Sequence, residues 1–325
     1  MDLRPSVRLR HLHTPGHPDH PVRVFYCDHF VLPLPPEHRF PMEKYRLLRE
    51  AVEARGLGRL LVPEAADDVQ LLRVHDAGYL RRVVSGELDR AEVRGIGFPW
   101  SPELVERSRR SAGGTLGAAG AALEDGVGVN LAGGTHHAFP DRGEGFCVFN
   151  DVAVAIRALQ AEGRLERAAV LDLDVHQGNG TATVFRDDDA VFTLSVHGEA
   201  NYPFRKESSD RDLGLPDDAG DDLFLGAVER GVEEALAHGP ELAFYVAGAD
   251  AYAGDRLGRL GVSREGMARR DALVFDACAA VGVPVAVVMG GGYADPVEET
   301  VAIHLATVEA AARTLRRASA TGRPA

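Results

Sequence analysis

The sequence contains few cysteines. Cys27, Cys147 and Cys278 are the only three, an odd number without CxxC spacing. This pattern excludes a disulfide framework and a cysteine-rich metal cage. A low cysteine content is typical of proteins in a reducing compartment. We therefore expect the protein to be cytoplasmic.

Long hydrophobic runs and an excess of basic charge are also missing. The apolar runs have the length of strands, and the first residues, MDLRPSVRLRHLH, contain no apolar stretch typical of a signal peptide. We therefore expect neither export nor membrane anchoring. The 49 acidic residues outnumber the 36 basic residues and give a formal net charge of −13, which disfavours a nucleic acid partner. The sequence gives no indication of the oligomeric state.

The composition is that of a folded globular protein. Apolar residues make up 45% and charged residues 26% of the 325 residues. No linker or repeat divides the chain after residue 21, so we predict one domain over 22–317. Residues 1–21, which contain His11, His13, His17 and His20, are predicted to form a flexible extension, with a metal-binding arm as the alternative. Residues 318–325 are predicted to form a disordered tail.

Short apolar segments alternate with amphipathic stretches along the domain. This alternation is the pattern of βαβ units around a parallel sheet, so we predict an α/β fold. The predicted strands are 127–131, 168–175, 191–196, 242–247 and 283–289, and the predicted helices are 102–123, 152–162, 264–281 and 296–316. Ser101, Asn150 or Asp151, and Ser263 are the predicted N-caps of the first three helices.

Glycine and polar residues follow the predicted strands. They are GGTHH (133–137), DLDVHQGNG (172–180), His197, GAD (248–250) and GGGY (290–293). Parallel sheets bind ligands beyond the carboxyl ends of their strands. We therefore expect these five segments to meet at one edge of the sheet.

Asp172, Asp174 and His176 alternate with apolar residues. In a strand alternate side chains share a face, so all three are expected on one surface. Two carboxylates there raise each other's pKa unless a cation compensates their charge. With Asp250 from another strand end, one imidazole and two carboxylates provide three ligands and an open position, which is typical of a catalytic zinc site.

Each of these features also has a structural explanation. Either aspartate of the triplet suits a turn cap, and His176 suits a buried hydrogen bond. Asp250 suits a helix N-cap, His136 and His137 suit a structural pair, and the glycines of 290–292 suit a tight turn or a phosphate nest. The occurrence of all of them at different strand ends favours a functional site.

Taken together, the motifs resemble the histone deacetylase family, more closely its class IV-like branch and the bacterial histone deacetylase-like amidohydrolases of the arginase/deacetylase superfamily. They are HRFPMEKYRLLR (38–49), GGTHHAF (133–139), GEGFCVFNDVAVA (143–155), LDLDVHQGNGTA (171–182), AGADAYAGDRLG (247–258) and GGGY (290–293). The resemblance implies a single three-layer αβα domain with a mostly parallel, roughly eight-stranded sheet.

The resemblance also implies a role for each matching residue. Asp174, His176 and Asp250 match the ligands of one zinc ion. The implied catalytic residues are His136 and His137 beside the attacking water, Asp172 and Asn179 as their partners, and Tyr293 facing the substrate carbonyl. Phe146 and Tyr202 are implied to form the walls of a substrate tunnel. Gly145 and Gly291 are implied as further substrate-binding positions. The resemblance also implies a potassium ion near Asp172, Asp174, His176 and Ser195. Asn179 stands where some branches carry Asp, and a neutral partner leaves His137 less readily protonated.

The implied activity is zinc-dependent removal of an acetyl or longer acyl group from an amine. An acylated lysine, an acylated polyamine and a small-molecule amide are all open as substrates. Two alternatives are a ureohydrolase with two manganese ions and a non-catalytic binder of acyl ligands. The first needs additional carboxylates near the metal, and Gly178 stands two residues after His176 instead.

Overall fold

The structure is a computed structural model that describes residues 21–35 and 37–321. The predicted extension 1–21 therefore lies outside the described residues except for Pro21, and so do its four histidines. Residues 322–325 of the predicted tail also lie outside the described residues.

In the described part of the chain, eight strands form one sheet in which every neighbouring pair is parallel. The strands are β1 (Arg23–Phe25), β2 (Arg59–Leu61), β3 (Val127–Asn130), β4 (Ala168–Asp172), β5 (Val191–Gly198), β6 (Arg211–Leu215), β7 (Leu242–Val246) and β8 (Val285–Val288). Their order across the sheet is β2-β1-β3-β8-β7-β4-β5-β6. The predicted eight-stranded parallel sheet is confirmed.

Helices cover both faces of this sheet. They are α1 (Glu43–Ala54), α2 (Asp68–Leu71), α3 (Ala77–Ser85), α4 (Arg90–Ile96), α5 (Pro102–Asp125), α6 (Asp151–Ala161), α7 (Asn179–Phe185), α8 (Asp221–Ala237), α9 (Arg264–Val281) and α10 (Val297–Thr321). Helices α5 and α6 form an apolar cluster on one face, and α1, α8, α9 and α10 form another on the opposite face. The predicted three-layer αβα architecture is confirmed.

The central strands are buried on both sides. Val170 of β4 and Phe244 of β7 pack under α5 and α6, whereas the next residues, Leu171 and Tyr245, pack under the helices of the other face. Because strand side chains alternate between faces, a strand covered on both sides needs apolar residues at nearly every position. This explains why the central strands are visible in the sequence as continuous apolar runs.

The predicted helix starts at Ser101, Asn150 and Ser263 are confirmed, since each side chain accepts a backbone N–H hydrogen bond from the first turn of its helix. Helix α10 runs to Thr321, beyond the domain end predicted at 317. Among the described helices, none is long and apolar enough to cross a membrane.

The carboxyl ends of two predicted strands are wrong by two or three residues. Strand β4 ends at Asp172 rather than at residue 175, and β5 continues to Gly198, so His197 lies inside that strand. The backbone N–H groups of Asp174, Val175 and His176 donate to the side chains of Asp172, Asp250 and Asp174. Aspartate carboxylates thus take the place of a neighbouring strand, so Asp174 and His176 lie in a loop and not on a pleated face.

One buried histidine away from the site couples stability to pH. His75 follows α2, and its Nδ1 donates to the carbonyl of Phe139 at 3.0 Å while its Nε2 accepts the backbone N–H of Asn150 at 3.0 Å. A proton on Nε2 would oppose the N–H of Asn150, so the neutral form is the one that fits. Burial lowers the pKa of His75 to about 4.

We expect the free energy of unfolding to fall between pH 6.5 and about 4 on account of His75. In this range His75 binds a proton in the unfolded chain but not in the folded chain. This difference lowers the free energy of unfolding by about 3 kcal/mol. Urea unfolding of the wild type and His75→Gln at pH 7 and pH 4.5 measures this effect, because the variant loses it. His238→Gln, at a partly exposed histidine, is the control that keeps the wild-type dependence. An unchanged pH dependence in His75→Gln contradicts the prediction.

Candidate metal centre and active site

A cavity of about 570 Å³ opens at the carboxyl ends of the strands. The segments that follow β3, β4 and β8 line its base. The sequence-predicted residues among its walls are His136, His137, Gly145, Phe146, Asp174, His176, Tyr202, Gly291 and Tyr293. The loops after different strands therefore bring most of the candidate residues into one cavity.

Asp174, His176 and Asp250 form a group of three potential metal ligands. Each offers one ligand atom, and these atoms lie within 4.8 Å of one another. Nδ1 of His176 lies 3.0 Å from Oδ1 of Asp174 and 3.2 Å from Oδ2 of Asp250. Asp250 follows β7, which is the neighbour of β4 in the sheet. Two adjacent strand ends thus bring together residues that are far apart in the sequence.

The electrostatics of this group favour a cation. Burial and the charge of Asp174 raise the pKa of Asp250 to about 6. Burial also acts to raise the pKa of Asp174, but His136 and His176 outweigh it and hold that pKa well below its usual range. Oδ2 of Asp250 is buried and accepts no hydrogen bond from any described residue. A divalent cation would satisfy this oxygen and remove the repulsion between the carboxylates.

Glycine backbone encloses the two carboxylates. A Cβ atom at Gly248 would lie 2.5 Å from Oδ2 of Asp174, and one at Gly291 would overlap Oδ2 of Asp250. The N–H of Gly291 donates to Oδ2 of Asp174 at 2.6 Å. Gly291, predicted as a substrate-binding position, therefore also gives the carboxylates room and orients one of them.

His136 and His137 lie beside the metal group with different partners. Nδ1 of His136 is 2.7 Å from Oδ2 of Asp172, and Nδ1 of His137 is 2.7 Å from Oδ1 of Asn179. Burial lowers the pKa of each ring, but the charge of Asp172 reverses this for His136 and raises its pKa to about 9. His137 faces a neutral amide and the charges of two other histidines, so its pKa stays well below the usual value. The two imidazoles thus differ in how readily they take a proton, and the difference comes from their partners, a carboxylate and an amide.

Aromatic side chains form the walls above these histidines. The ring of Tyr202 meets that of His137 edge to face at 5.0 Å, and its hydroxyl donates to Glu144 at 3.1 Å. Gly145 and Phe146 both have positive φ, 54° and 68°, and the ring of Phe146 lies 6.1 Å from that of Tyr293. The Tyr293 side chain is buried, and its hydroxyl makes no hydrogen bond with a described residue.

A model of the histone deacetylase domain matches residues 38–308. The chain belongs to the histone deacetylase domain family. Because this match includes every segment of the site, it places the chain among hydrolases that act on amide bonds.

Similar proteins cover most of the chain. An uncharacterized protein of Picosynechococcus sp. is 45% identical over 285 residues, which are 86% of this chain and 95% of that protein. The histone deacetylase-like amidohydrolase of Pseudomonas aeruginosa is 34% identical over 278 residues, 79% of this chain and 73% of that protein. The crystal structure of the HDA15 HD domain superposes with a TM-score of 0.74 over 90% of this chain and 94% of that chain, at 22% identity. At this identity the superposition shows a common fold.

The histidine pair of this histone deacetylase domain is held by Asp151, whose role the sequence does not reveal. Oδ1 of Asp151 accepts the backbone N–H of Thr135 at 2.7 Å, and Oδ2 accepts that of Gly134 at 3.1 Å. Asn150 already caps α6, so the carboxylate next to it is free to hold the loop. The sequence offers two candidate N-caps at the start of α6, Asn150 and Asp151, although a helix needs only one. This surplus was the sequence signal that Asp151 has another role.

Lys44 is a second residue that sequence reasoning missed, although it lies within the HRFPMEKYRLLR motif of the family. It is buried, its Nζ donates to the carbonyl of Gly292 at 3.2 Å, and it lies 5.1 Å from the centre of the Tyr293 ring. Lys44 thus packs behind Tyr293 and holds the glycine-rich loop that carries it.

Two other polar residues near the deacetylase-domain site have structural roles. His197 bonds to the Ser195 hydroxyl at 2.9 Å and does not line the cavity; the loop that follows β5 contributes Tyr202 there instead. Burial raises the pKa of the Cys147 thiol far above its usual value, which makes Cys147 a poor nucleophile.

Proposed function

We propose that this chain is a zinc-dependent amidohydrolase that removes an acetyl or longer acyl group from the amine of lysine or a related molecule. The observation that carries the proposal is the group formed by Asp174, His176 and Asp250 next to the His136–His137 pair. The family membership supports amide hydrolysis. An acylated lysine, an acylated polyamine and a small-molecule amide all contain the bond that this chemistry cleaves.

The ligand group fits zinc. Zinc takes imidazole nitrogen and carboxylate oxygen in four-coordinate sites, and catalytic sites keep one position open. A bound zinc ion would polarise the substrate carbonyl and lower the pKa of water from about 15.7 to near 7. Among the described residues this is the single group of three potential metal ligands. A single group argues against the two manganese ions of a ureohydrolase.

His137 is the proton acceptor in the proposed mechanism. Its Nδ1 donates to Oδ1 of Asn179, so Nε2 carries the lone pair. With its low pKa the ring is neutral, takes the proton of the attacking water and delivers it to the departing amine. His136 is bound to Asp172, keeps its proton and holds positive charge beside the reacting carbonyl.

Tyr293 stabilises the oxygen on which negative charge develops. Burial and the nearby charges of Asp250 and Asp174 raise the pKa of its phenol well above the usual value, so the hydroxyl keeps its proton. It has no competing hydrogen bond in the described residues and is free to donate to the substrate. Phe146 and Tyr202 line the approach, where they would enclose the acyl-bearing chain and exclude water.

Two further parts complete the proposal. Ser195 pairs with Asp172 across β5 and β4, and the family resemblance supports a potassium ion beside Ser195 and the backbone of Asp172, Asp174 and His176. The three cysteines are free and buried, which supports action in a reducing cytoplasm.

Metal content and turnover test the proposal together. We expect one zinc ion per purified chain, and we expect its removal by a chelator to lower amide hydrolysis by at least about a hundredfold until zinc is added back. Rates on an acetyl-lysine peptide, a long-chain acyl-lysine peptide and an acetylated polyamine, with and without a hydroxamate, identify the preferred amide. Two manganese ions per chain would support the ureohydrolase instead. Binding of these ligands without turnover would support a non-catalytic binder.

A further inference from the structure

The mouth of the cavity carries positive charge although the protein as a whole is acidic. Arg39, Arg94 and Arg259 are among the lining residues, and the only carboxylate among them, Asp174, belongs to the metal group at the base. The formal net charge of the chain is −13. The charge at the mouth is therefore positive, whereas the net charge of the protein is negative.

Arg39 and Arg94 lie on the Phe146 side of the mouth. The guanidinium carbon of Arg39 is 5.3 Å from the centre of the Phe146 ring. Arg94 lies near the end of α4, and the carbonyl of the next residue, Gly95, accepts the N–H of Gly145 at 3.0 Å. Both arginine side chains are exposed. When the acyl group of a substrate enters the cavity, the rest of the amine remains at the mouth. The two arginines are placed beside this part of the substrate.

These two guanidinium groups lie beyond ion-pair distance of every carboxylate that the structure describes. Neither guanidinium has a carboxylate partner in residues 21–35 and 37–317. Arg259, in contrast, pairs with Asp217 at 3.0 Å. Glu144 is the carboxylate closest in sequence to Phe146, and it is bound to Arg142 at 2.7 Å and to the hydroxyl of Tyr202. Two guanidinium groups therefore remain for a ligand.

We infer that Arg39 and Arg94 select amides whose amine portion carries a carboxylate, such as an acyl-lysine flanked by acidic residues or a small N-acyl amino acid. This inference rests on the proposed amide hydrolysis. It disfavours polyamines and basic peptides, because their cations would meet these arginines without a compensating carboxylate. Guanidinium groups pair with carboxylates in a planar two-bond geometry.

Three peptides that differ only in charge test the inference. They carry acetyl-lysine between two aspartates, two asparagines or two arginines. An exposed ion pair changes binding by about two- to fivefold, so two arginines give a preference of about tenfold for the aspartate peptide over the asparagine peptide. The preference should appear in KM rather than in kcat, since the charges act on bound substrate and transition state alike. It should weaken at 0.5 M salt. Free Nε-acetyl-lysine and its carboxamide, which lacks the negative charge, test the small-molecule source separately.

Variants assign the preference to these residues. Arg39→Gln with Arg94→Gln should bring the aspartate and asparagine peptides to equal KM, and Arg39→Gln with Arg94→Glu should favour the arginine peptide. Arg269→Gln, an exposed arginine on α9 outside the cavity, should keep the wild-type order. Hydrolysis of all three peptides with equal or reversed KM in the wild type overturns the inference and leaves the proposed function intact. If no peptide or small amide is hydrolysed by the zinc-loaded protein, the proposed function fails and this inference fails with it.

Discussion

Asp250→Asn should remove zinc from the protein and lower kcat/KM for amide hydrolysis by a thousandfold or more. Asparagine keeps a carbonyl oxygen for the N–H of Val175, which donates to Oδ1 of Asp250 at 3.0 Å. The loop is therefore preserved, while the metal loses one of its two anionic ligands. Zinc per chain, measured after dialysis, and kcat/KM for an acetyl-lysine peptide give the two results.

The loss should come from the metal and not from unfolding. Without metal, wild-type Asp250 lies buried beside Asp174, and asparagine relieves this repulsion. The metal-free variant should therefore unfold at no lower urea concentration than the metal-free wild type. Asp276→Asn, at an exposed carboxylate on α9, should keep both zinc and activity. Normal zinc content and turnover in Asp250→Asn would show that Asp250 is not a ligand.

Tyr293→Phe should lower kcat by about a hundred- to a thousandfold, because the loss of one donor to a developing oxyanion typically has an effect of this size. The ring remains to pack against Phe146 and under Lys44. We therefore expect KM to change little and zinc content to stay at the wild-type value. Steady-state kinetics with metal analysis on the same preparation measures all three quantities.

A matched substitution separates the Tyr293 hydroxyl from a general effect of losing a phenol. Tyr252 lies in the loop after β7 and does not line the cavity. Tyr252→Phe should keep the wild-type kcat. A raised KM with unchanged kcat in Tyr293→Phe would mean that this hydroxyl binds substrate equally well before and during the reaction.

The fold was predictable where burial leaves a continuous signal. The five strands found from the sequence are the central ones together with β5, whose residues are buried almost throughout. Strands β1 and β2 have three residues each, and β6 lies at the edge with mostly half-buried residues. Such short or edge strands have no apolar run of their own, and only the family resemblance indicated their number.

The site was predictable from residue types, although part of the argument for it was wrong. Asp172, Asp174 and His176 converge because carboxylates accept the backbone N–H groups of a loop, and not because the three side chains share a strand face. The spare cap at the start of α6 was the one signal for Asp151, whereas Lys44 was not predictable, since its partner is a backbone group of a loop distant in the sequence. Such contacts depend on the tertiary arrangement and leave no periodic pattern.

The parts of the cavity come from different regions of the chain. The groups that would handle metal and proton are attached to loops at the sheet edge, whereas Arg39 and Arg94 come from the segment between β1 and α5. Substitutions in that outer segment can change which molecules are admitted without moving the groups at the base. Related proteins with this architecture can therefore differ in substrate preference while they catalyse the same reaction.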